Sequence, residues 1–203
     1  MSLDIPSLPL PMEVLDSIVV PDCAPVVKSS NHRERVPSVF TGRSDQFDIY
    51  RFHVNANASG KSYDGQVQDS ISFIASGDVK LIGVLMYGSC GNPGVYQIHL
   101  EILQDLNGHL SLVNSSEHEV ETDGSPKHYK LNIRPSLHIE TDHVYTIRAL
   151  IRGPPGYFGT NGITEVRKNG ISVWFISNDD GFGLNSTTAE GGQFPGLVFE
   201  KQV

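Results

Sequence analysis

The chain has 203 residues, only two of them cysteine, and a formal net charge of -8. A length in this range is that of one domain, which buries enough surface on folding to need neither a structural metal nor a disulfide framework. The acidic balance excludes a protein that holds nucleic acid through its phosphates, because that mode of binding requires a basic stripe on the surface.

Residues 1–42 are rich in proline, which blocks continuous helix and removes a donor from strand pairing. The prolines are Pro6, Pro9, Pro11, Pro21, Pro25 and Pro37. This density predicts a linker or an N-terminal extension over residues 1–42, followed by one domain over residues 43–203.

From residue 43 onward the chain consists of short alternating runs. In "VYQIHLEIL", residues 95–103, Ile98 and Leu100 share one face with Tyr96 while polar residues occupy the other, which is the period of a half-buried strand. The run "HYKLNIR", residues 128–134, repeats that pattern. Two further runs are apolar on both faces and predict strands inside a sheet. They are "VYTIRALI" (144–151) and "ISVWFI" (171–176).

Six more runs predict strands of the same kind, at residues 50–54, 70–75, 79–87, 109–113, 136–140 and 196–200. Between the runs lie turn sequences, of which Asn107-Gly108 is typical of a hairpin because both residues tolerate positive φ. No segment has a sustained helical period. Ten or so short strands joined by tight turns predict an all-β antiparallel sandwich or barrel.

The stretch "GGQFPGLVFE", residues 191–200, is predicted to close the fold. Gly192 supplies freedom at a turn and Pro195 fixes φ at the entrance of a strand. Gln193 has a side-chain amide suited to satisfying backbone groups at a corner of the sandwich, and we prefer that structural role to contact with a ligand.

The stretch "RGPPGYFGTNG", residues 152–162, predicts a rigid loop that carries two large rings, Tyr157 and Phe158. Exposed aromatic side chains on such a loop are good anchors for a protein partner. The alternative is that one or both rings fold back over the end of the sandwich, as aromatic side chains usually do.

No catalytic or metal site is predicted. Cys90 lies in a glycine-rich turn, where an exposed thiolate could attack a substrate, but no base or orienting acid stands near it in the sequence. His138 and His143 lack the second close pair of ligands that a zinc site requires. We therefore expect no catalytic residue, no metal and no cofactor in this chain, while a hydrolase that uses Cys90 stays open as an alternative.

The cellular compartment is predicted from two features that the sequence lacks. No apolar run reaches the length of a membrane span, and the N-terminus lacks the layout of a signal peptide, which favours a soluble, cytoplasmic protein that does not enter membranes. Three glycosylation sequons, beginning at Asn57, Asn114 and Asn185, favour the opposite reading, an extracellular sandwich that binds carbohydrate.

Five segments follow one another in a fixed order along the chain: "DSISF" (69–73), "LIGVLMYGS" (81–89), "VYTIRALIRGPPGYFGTNG" (144–162), "GISVWF" (170–175) and "NSTTAEGGQFPGLVFE" (185–200). Together they resemble the PHR domain, the module named after the PAM/Highwire family of giant RING-type ubiquitin ligases and also found in BTB-domain adaptors. The order holds over some 150 residues. Ser186 stands where the family usually has glycine, so the chain resembles a divergent member.

The resemblance implies an eleven-stranded β-sandwich without activity of its own, a monomeric domain of a much larger chain. It implies recruitment of a protein partner or substrate to an E3 ubiquitin ligase active in axon growth and synapse formation, whose RING zinc lies elsewhere. We prefer the PAM/Highwire setting to a BTB adaptor of a cullin ligase because residues 1–42 differ from the helical region that precedes PHR in the adaptors.

The candidates for partner contact are Tyr157, Phe158, Asn161 and Asn185. The structural motif residues are Gly153, Pro154, Gly159, Gly192, Gln193 and Pro195.

Overall fold

A computed structural model of the chain describes residues 45–52, 57–178 and 187–201, and the predicted linker over residues 1–42 lies outside this range. The described residues form ten β-strands and no helix, and so contain no helix that could span a membrane. The strands are β1 (Gln46–Tyr50), β2 (Asn57–Ala75), β3 (Val79–Tyr87), β4 (Gly94–Leu106), β5 (His109–Thr122), β6 (His128–Ile139), β7 (Tyr145–Phe158), β8 (Glu165–Lys168), β9 (Ile171–Ile176) and β10 (Gly196–Lys201).

The strands form two antiparallel sheets that pack face to face. One sheet has the order β1-β10-β3-β6, and the other has the order β5-β4-β7-β2-β9-β8. The predicted all-β sandwich is therefore confirmed. β10, the last strand of the chain, lies inside the four-stranded sheet, where it pairs with β1 on one side and with β3 on the other.

Several predicted elements match the structure closely. The runs 79–87 and 171–176 are β3 and β9, and the run 144–151 lies in β7, an interior strand as its two apolar faces predicted. The β4–β5 turn has positive φ at Asn107 and Gly108, 58° and 85°. Local periodicity and turn chemistry decided these elements because each depends on neighbours in the sequence.

Several strand predictions were wrong in their bounds, and the runs 70–75 and 109–113 are only parts of the longer β2 and β5. Of the run predicted at 50–54, Tyr50 is the last residue of β1, Arg51 donates its backbone N–H to the carbonyl of Pro195 outside the strand, and residues 53 and 54 lie outside the described residues. The runs 128–134 and 136–140 form one strand, β6, because a proline is tolerated on an edge strand. The four residues of β8 were not predicted at all, since so short a run carries little periodicity.

The predicted loop at 152–162 is also corrected, because β7 continues through Gly153 and Pro154 to Phe158. Prolines are accommodated there since the pairing of β7 with β4 ends at Arg152. β7 pairs with β2 from Tyr145 onward and keeps this partner beyond Arg152, where Tyr63 lies opposite Gly153. A proline that faces away from a ladder removes no hydrogen bond.

The core lies between the two sheets and includes both ends of the described chain. Phe199 on β10 packs against Phe47 on β1 and Phe73 on β2, with ring centroids 5.8 and 6.2 Å apart. Phe73 also stacks on Tyr145 of β7, at 5.8 Å. These contacts join both sheets, so the last strand is part of the central packing.

Deletion from Gly192 onward is expected to abolish cooperative unfolding. The truncation removes Leu197 and Phe199 from the core and exposes the backbone groups of β1 and β3, at a cost of several kcal/mol, on the order of that of large-to-small core substitutions. Thermal unfolding followed by circular dichroism measures the effect, with a chain ending at Lys201 as control. A truncated protein that melts like the control would show that β10 is peripheral.

Candidate functional site

Two loops, residues 159–164 and 187–195, meet at one end of the sandwich and are hydrogen-bonded to each other. Gly159 and Gly192 exchange backbone hydrogen bonds of 2.9 and 3.0 Å. The N–H of Gly162 donates to the carbonyl of Glu190 at 2.8 Å. We call the exposed residues of this surface the rim: Thr160, Asn161, Thr164, Thr188 and Glu190.

Arg51 supports the loop at residues 187–195 from the interior of the domain, and its side chain is 0% exposed. Its guanidinium donates to four backbone carbonyl oxygens of the stretch 188–194. The acceptors and distances are Thr188 O at 2.5 Å, Ala189 O at 2.7 Å, Gly191 O at 2.9 Å and Phe194 O at 2.7 Å. A planar guanidinium has five donors in a fixed arrangement, whereas an ammonium on a flexible stem has three and reaches fewer of these acceptors.

The buried positive charge of Arg51 is stabilised by the dipoles of the four carbonyl groups and by aromatic rings. Its guanidinium carbon lies 4.3 Å from the ring centroid of Phe52 and 5.7 Å from that of Phe175, which are cation–π distances. Burial lowers the pKa of Arg51 to about 10, so the side chain remains charged at neutral pH. In the part of the chain that the structure describes, no carboxylate forms an ion pair with it.

Gln193 is a second buried support of the same loop, also 0% exposed. Its Oε1 accepts a hydrogen bond of 2.6 Å from the Tyr63 hydroxyl. Its Nε2 donates to the backbone carbonyl of Tyr87 at 2.9 Å, and its own carbonyl accepts from the Tyr87 N–H at 3.2 Å. Burial raises the pKa of Tyr63 well above its usual value, so this hydroxyl stays protonated and donates. The loop is thereby bonded to both sheets.

Asp69 on β2 supplies a third attachment. Its buried carboxylate accepts a short hydrogen bond from the Thr187 hydroxyl and lies 3.3 Å from the Lys61 ammonium. The Thr187 hydroxyl oxygen also accepts from the N–H of Gln193 at 3.4 Å. The loop therefore has a buried polar contact at its start as well as at its centre and end.

Two glycines are required where the loops touch. A Cβ added at Gly159 would lie 2.2 Å from the ring of Phe52, which is closer than any real contact. Gly192 has a φ of 129°, a conformation that residues with a side chain rarely adopt, and an added Cβ would lie 2.5 Å from the Thr187 hydroxyl. These positions fix how closely the two loops approach.

The residues predicted for partner contact lie in different environments. Tyr157 is 5% exposed and packs with Phe52, Tyr87 and Cys90, so its ring covers the sandwich end and is not an exposed anchor. Phe158, the next residue, is half-buried. Asn161 is exposed on the rim with a φ of 57°. Asn185 lies outside the described residues.

Four of the predicted structural residues, Gly159, Gly192, Gln193 and Pro195, lie where the two loops meet. Gly153 and Pro154 lie in the part of β7 that pairs with β2, and Pro195 accepts the backbone hydrogen bond of Arg51. The sequence reasoning did not single out Arg51. The available signal was one arginine inside the otherwise apolar-aromatic run "YRFHV", since a charged residue in such a run is buried only when it is paired.

Two observations concern the histidine and cysteine candidates that the sequence raised. Among residues 45–52, 57–178 and 187–201, no three His, Cys, Asp or Glu side chains are arranged to hold a metal ion. Cys90 is buried and disulfide-bonded, so it offers no free thiolate.

Comparison with known proteins identifies the family. The sequence pattern of the PHR domain matches residues 50–200. The chain belongs to the PHR domain family.

Three relatives have the same module within longer chains. BTB/POZ domain-containing protein 6-A of Danio rerio is 31% identical over 152 residues, which are 74% of this chain and 27% of that protein. BTB/POZ domain-containing protein 6 of Homo sapiens is 29% identical over 153 residues, again 74% and 27%. BTB/POZ domain-containing protein 3 of Homo sapiens is 31% identical over 132 residues, 64% and 24%. The chain spans about a quarter of the length of these relatives.

The five segments on which the PHR resemblance rested meet at the loop that Arg51 holds. Asp69 comes from the first segment, the Tyr87 carbonyl from the second, Gly159 from the third and the Phe175 ring from the fourth. The fifth segment is the loop itself. Segments far apart in the sequence are thus joined at this loop of the PHR domain, four of them by hydrogen bonds and the fourth segment by the cation–π contact of Phe175 with Arg51.

Arg51→Lys is expected to lower the free energy of unfolding by about 3 kcal/mol, since a lysine reaches fewer of the four carbonyl oxygens and leaves others buried without a donor. Urea denaturation measures the loss. Arg167→Lys, the same exchange at an exposed position of β8, is the matched control and should change stability little. Equal stabilities for the two variants would contradict the role of Arg51.

Tyr157→Ala is expected to affect mainly stability, and Phe158→Ala is expected to affect mainly partner binding. Tyr157→Ala removes a buried ring and should cost about 3 kcal/mol of stability. Phe158→Ala removes a half-buried ring and should cost less, while weakening partner binding by more than about 1 kcal/mol if that ring is an anchor. Thermal unfolding and binding per folded molecule separate the two. A larger stability loss at Phe158 would reverse this assignment.

Proposed function

We propose that this PHR domain is the partner-recruiting module of a ubiquitin-ligase protein, and that it binds a protein partner or substrate through the rim. The observation that carries the proposal is a preformed surface. Five exposed side chains stand on two loops that are hydrogen-bonded to each other and supported by Arg51 and Gln193. Loops held in this way lose little conformational entropy on binding.

The proposed parent is a larger ubiquitin-ligase chain, either a giant RING ligase of the PAM/Highwire family or a BTB-domain adaptor of a cullin ligase. The proline-rich residues 1–42 favour the first setting, and the names of the matched relatives favour the second. In both settings the PHR domain contributes binding, and the transfer of ubiquitin is carried out by other parts. The proposed location is the neuronal cytoplasm, with a role in axon growth and synapse formation.

Asn161→Gly should test the rim without disturbing the backbone. Asn161 has positive φ, so glycine removes the side chain while tolerating the conformation. Asn169→Gly is the matched control, because Asn169 is also exposed with positive φ, 52°, but lies in the β8–β9 turn. Both variants should melt like the parent.

The measurement is proximity labelling by the full chain in cultured neurons with the proteasome inhibited, followed by mass spectrometry. We expect ubiquitinated proteins that the wild type and Asn169→Gly label to be depleted about fivefold or more by Asn161→Gly, which corresponds to about 1 kcal/mol for a contact residue. A labelled set that is unchanged by Asn161→Gly and by Glu190→Arg would remove the rim as the recruiting surface. A set without ubiquitinated proteins would remove the ligase setting.

A further inference from the structure

β5 is an edge strand with a distinctive outward face. In the described part of the chain it pairs with β4 alone, over the whole length from Leu106↔His109 to Gly94↔Thr122. An edge strand presents a row of backbone N–H and C=O groups to which another extended chain can be added. Its fourteen residues make it one of the longer strands of the domain.

Three carboxylates stand in a row on the outer side of β5. Ile98 and Leu100 of β4 are buried in the core, so His99 between them faces outward. Glu117 lies opposite His99, with 2.6 Å between its Oε1 and the ring Nδ1, which places Glu117 on the same outer face. Glu119 and Glu121 follow at the strand period of two and are exposed.

The same face ends in exposed leucines. Leu112 is 55% and Leu110 is 39% exposed, although both are large apolar side chains. A bulge between Leu112 and Asn114 shifts the alternation, so the leucines before it and the glutamates after it share the outer face. We call this set the β5 strip: Leu110, Leu112, Glu117, Glu119 and Glu121.

A second copy of the chain is a poor occupant for the β5 strip. In an antiparallel pairing of two β5 strands about Glu119, each Glu117 would lie opposite a Glu121 of the other copy, and like charges directly opposite destabilise strand pairs. Protection of the edge against aggregation accounts for glutamates on this strand. It does not account for the exposed Leu110 and Leu112, since an edge that only repels gains nothing from apolar side chains.

We propose that β5 binds an extended basic segment of a partner protein by strand addition. The partner would carry Lys or Arg at alternate positions along Glu117, Glu119 and Glu121, and apolar residues at alternate positions along Leu110 and Leu112. The strip spans about 35 Å at the rise of a β-strand, which corresponds to roughly ten residues of ligand. This surface is built from strands that the rim does not use, so it goes beyond the proposed function and does not rest on it.

The His99 imidazole binds the carboxylate at one end of the acidic row, that of Glu117. The pKa of His99 is raised, first by its hydrogen bond to Glu117 and further by Glu101. Glu117 is already hydrogen-bonded to this imidazole, whereas Glu119 and Glu121 have no ion-pair partner among the described residues. We expect the strongest charge recognition at Glu119 and Glu121.

The test is fluorescence anisotropy with the full chain and a labelled ten-residue peptide that has Lys at alternate positions in one half and Val at alternate positions in the other. The double variant E119K/E121K should raise Kd at least about tenfold, through like-charge juxtaposition. The double variant D45K/E165K changes the net charge equally at exposed positions on β8 and beside β1, and should leave Kd near that of the wild type. Leu112→Ser should weaken binding to a lesser extent.

Two further arms decide between occupants. A peptide of the same composition in scrambled order should bind about tenfold more weakly, because alternation would no longer match the strand period. Hydrogen exchange of the β5 amides should slow on binding, as strand addition requires. If E119K/E121K lost thermal stability, the milder E119Q/E121Q would replace it.

Absence of peptide binding, equal loss in D45K/E165K, or equal affinity for the scrambled peptide would overturn the proposal. Concentration-dependent dimerisation through β5 without the peptide would assign the strip to a second copy of the chain and overturn it as well. Asn161→Gly should leave peptide affinity unchanged, so a failure of the rim and a failure of the strip are seen separately.

Discussion

The guanidinium of Arg51 bound to four carbonyl oxygens is the contact on which the closing end of this domain depends. The loop at 187–195 has no regular structure to satisfy its own backbone, and a buried carbonyl without a donor is costly. One rigid side chain with several donors supplies what a helix or sheet would otherwise supply. Because Arg51 directly follows β1, it also connects the start of the described domain to the loop that leads into its last strand.

Around this contact, buried polar side chains stabilise the loop, and a different set of exposed side chains, the rim, is available to a partner. The buried side chains of Arg51 and Asp69 reach the loop from other parts of the chain and bond to its backbone carbonyls and to the Thr187 hydroxyl, while Gln193, a residue of the loop, bonds outward to Tyr63 and Tyr87. None of them is exposed. The side chains of the rim point to solvent and can vary without disturbing the network beneath, which is how a shared fold serves different partners.

The sequence predicted most of the strands, and its failures have a common origin. β3, β9 and the Asn107-Gly108 turn follow from periodicity and local turn chemistry, which depend only on nearby residues. The prolines at 154 and 155 suggested a loop, because the sequence does not reveal that the pairing of β7 with β4 has already ended there. Tyr157 was offered as an anchor for the same reason, since its burial depends on Phe52 and Tyr87 from other segments.

By itself, the sequence determined the all-β class, the family and the importance of the closing stretch 191–200, because each rests on alternation, turn residues or ordered motifs that are local in the chain. Only the tertiary structure decided that β10 is an interior strand, that a lone arginine in an apolar run is the support of the closing loop, and that Glu117 shares a face with Leu112 across a bulge. These facts depend on which distant segments become neighbours. That choice is made by packing the two sheets as a whole, and no short window of sequence contains it.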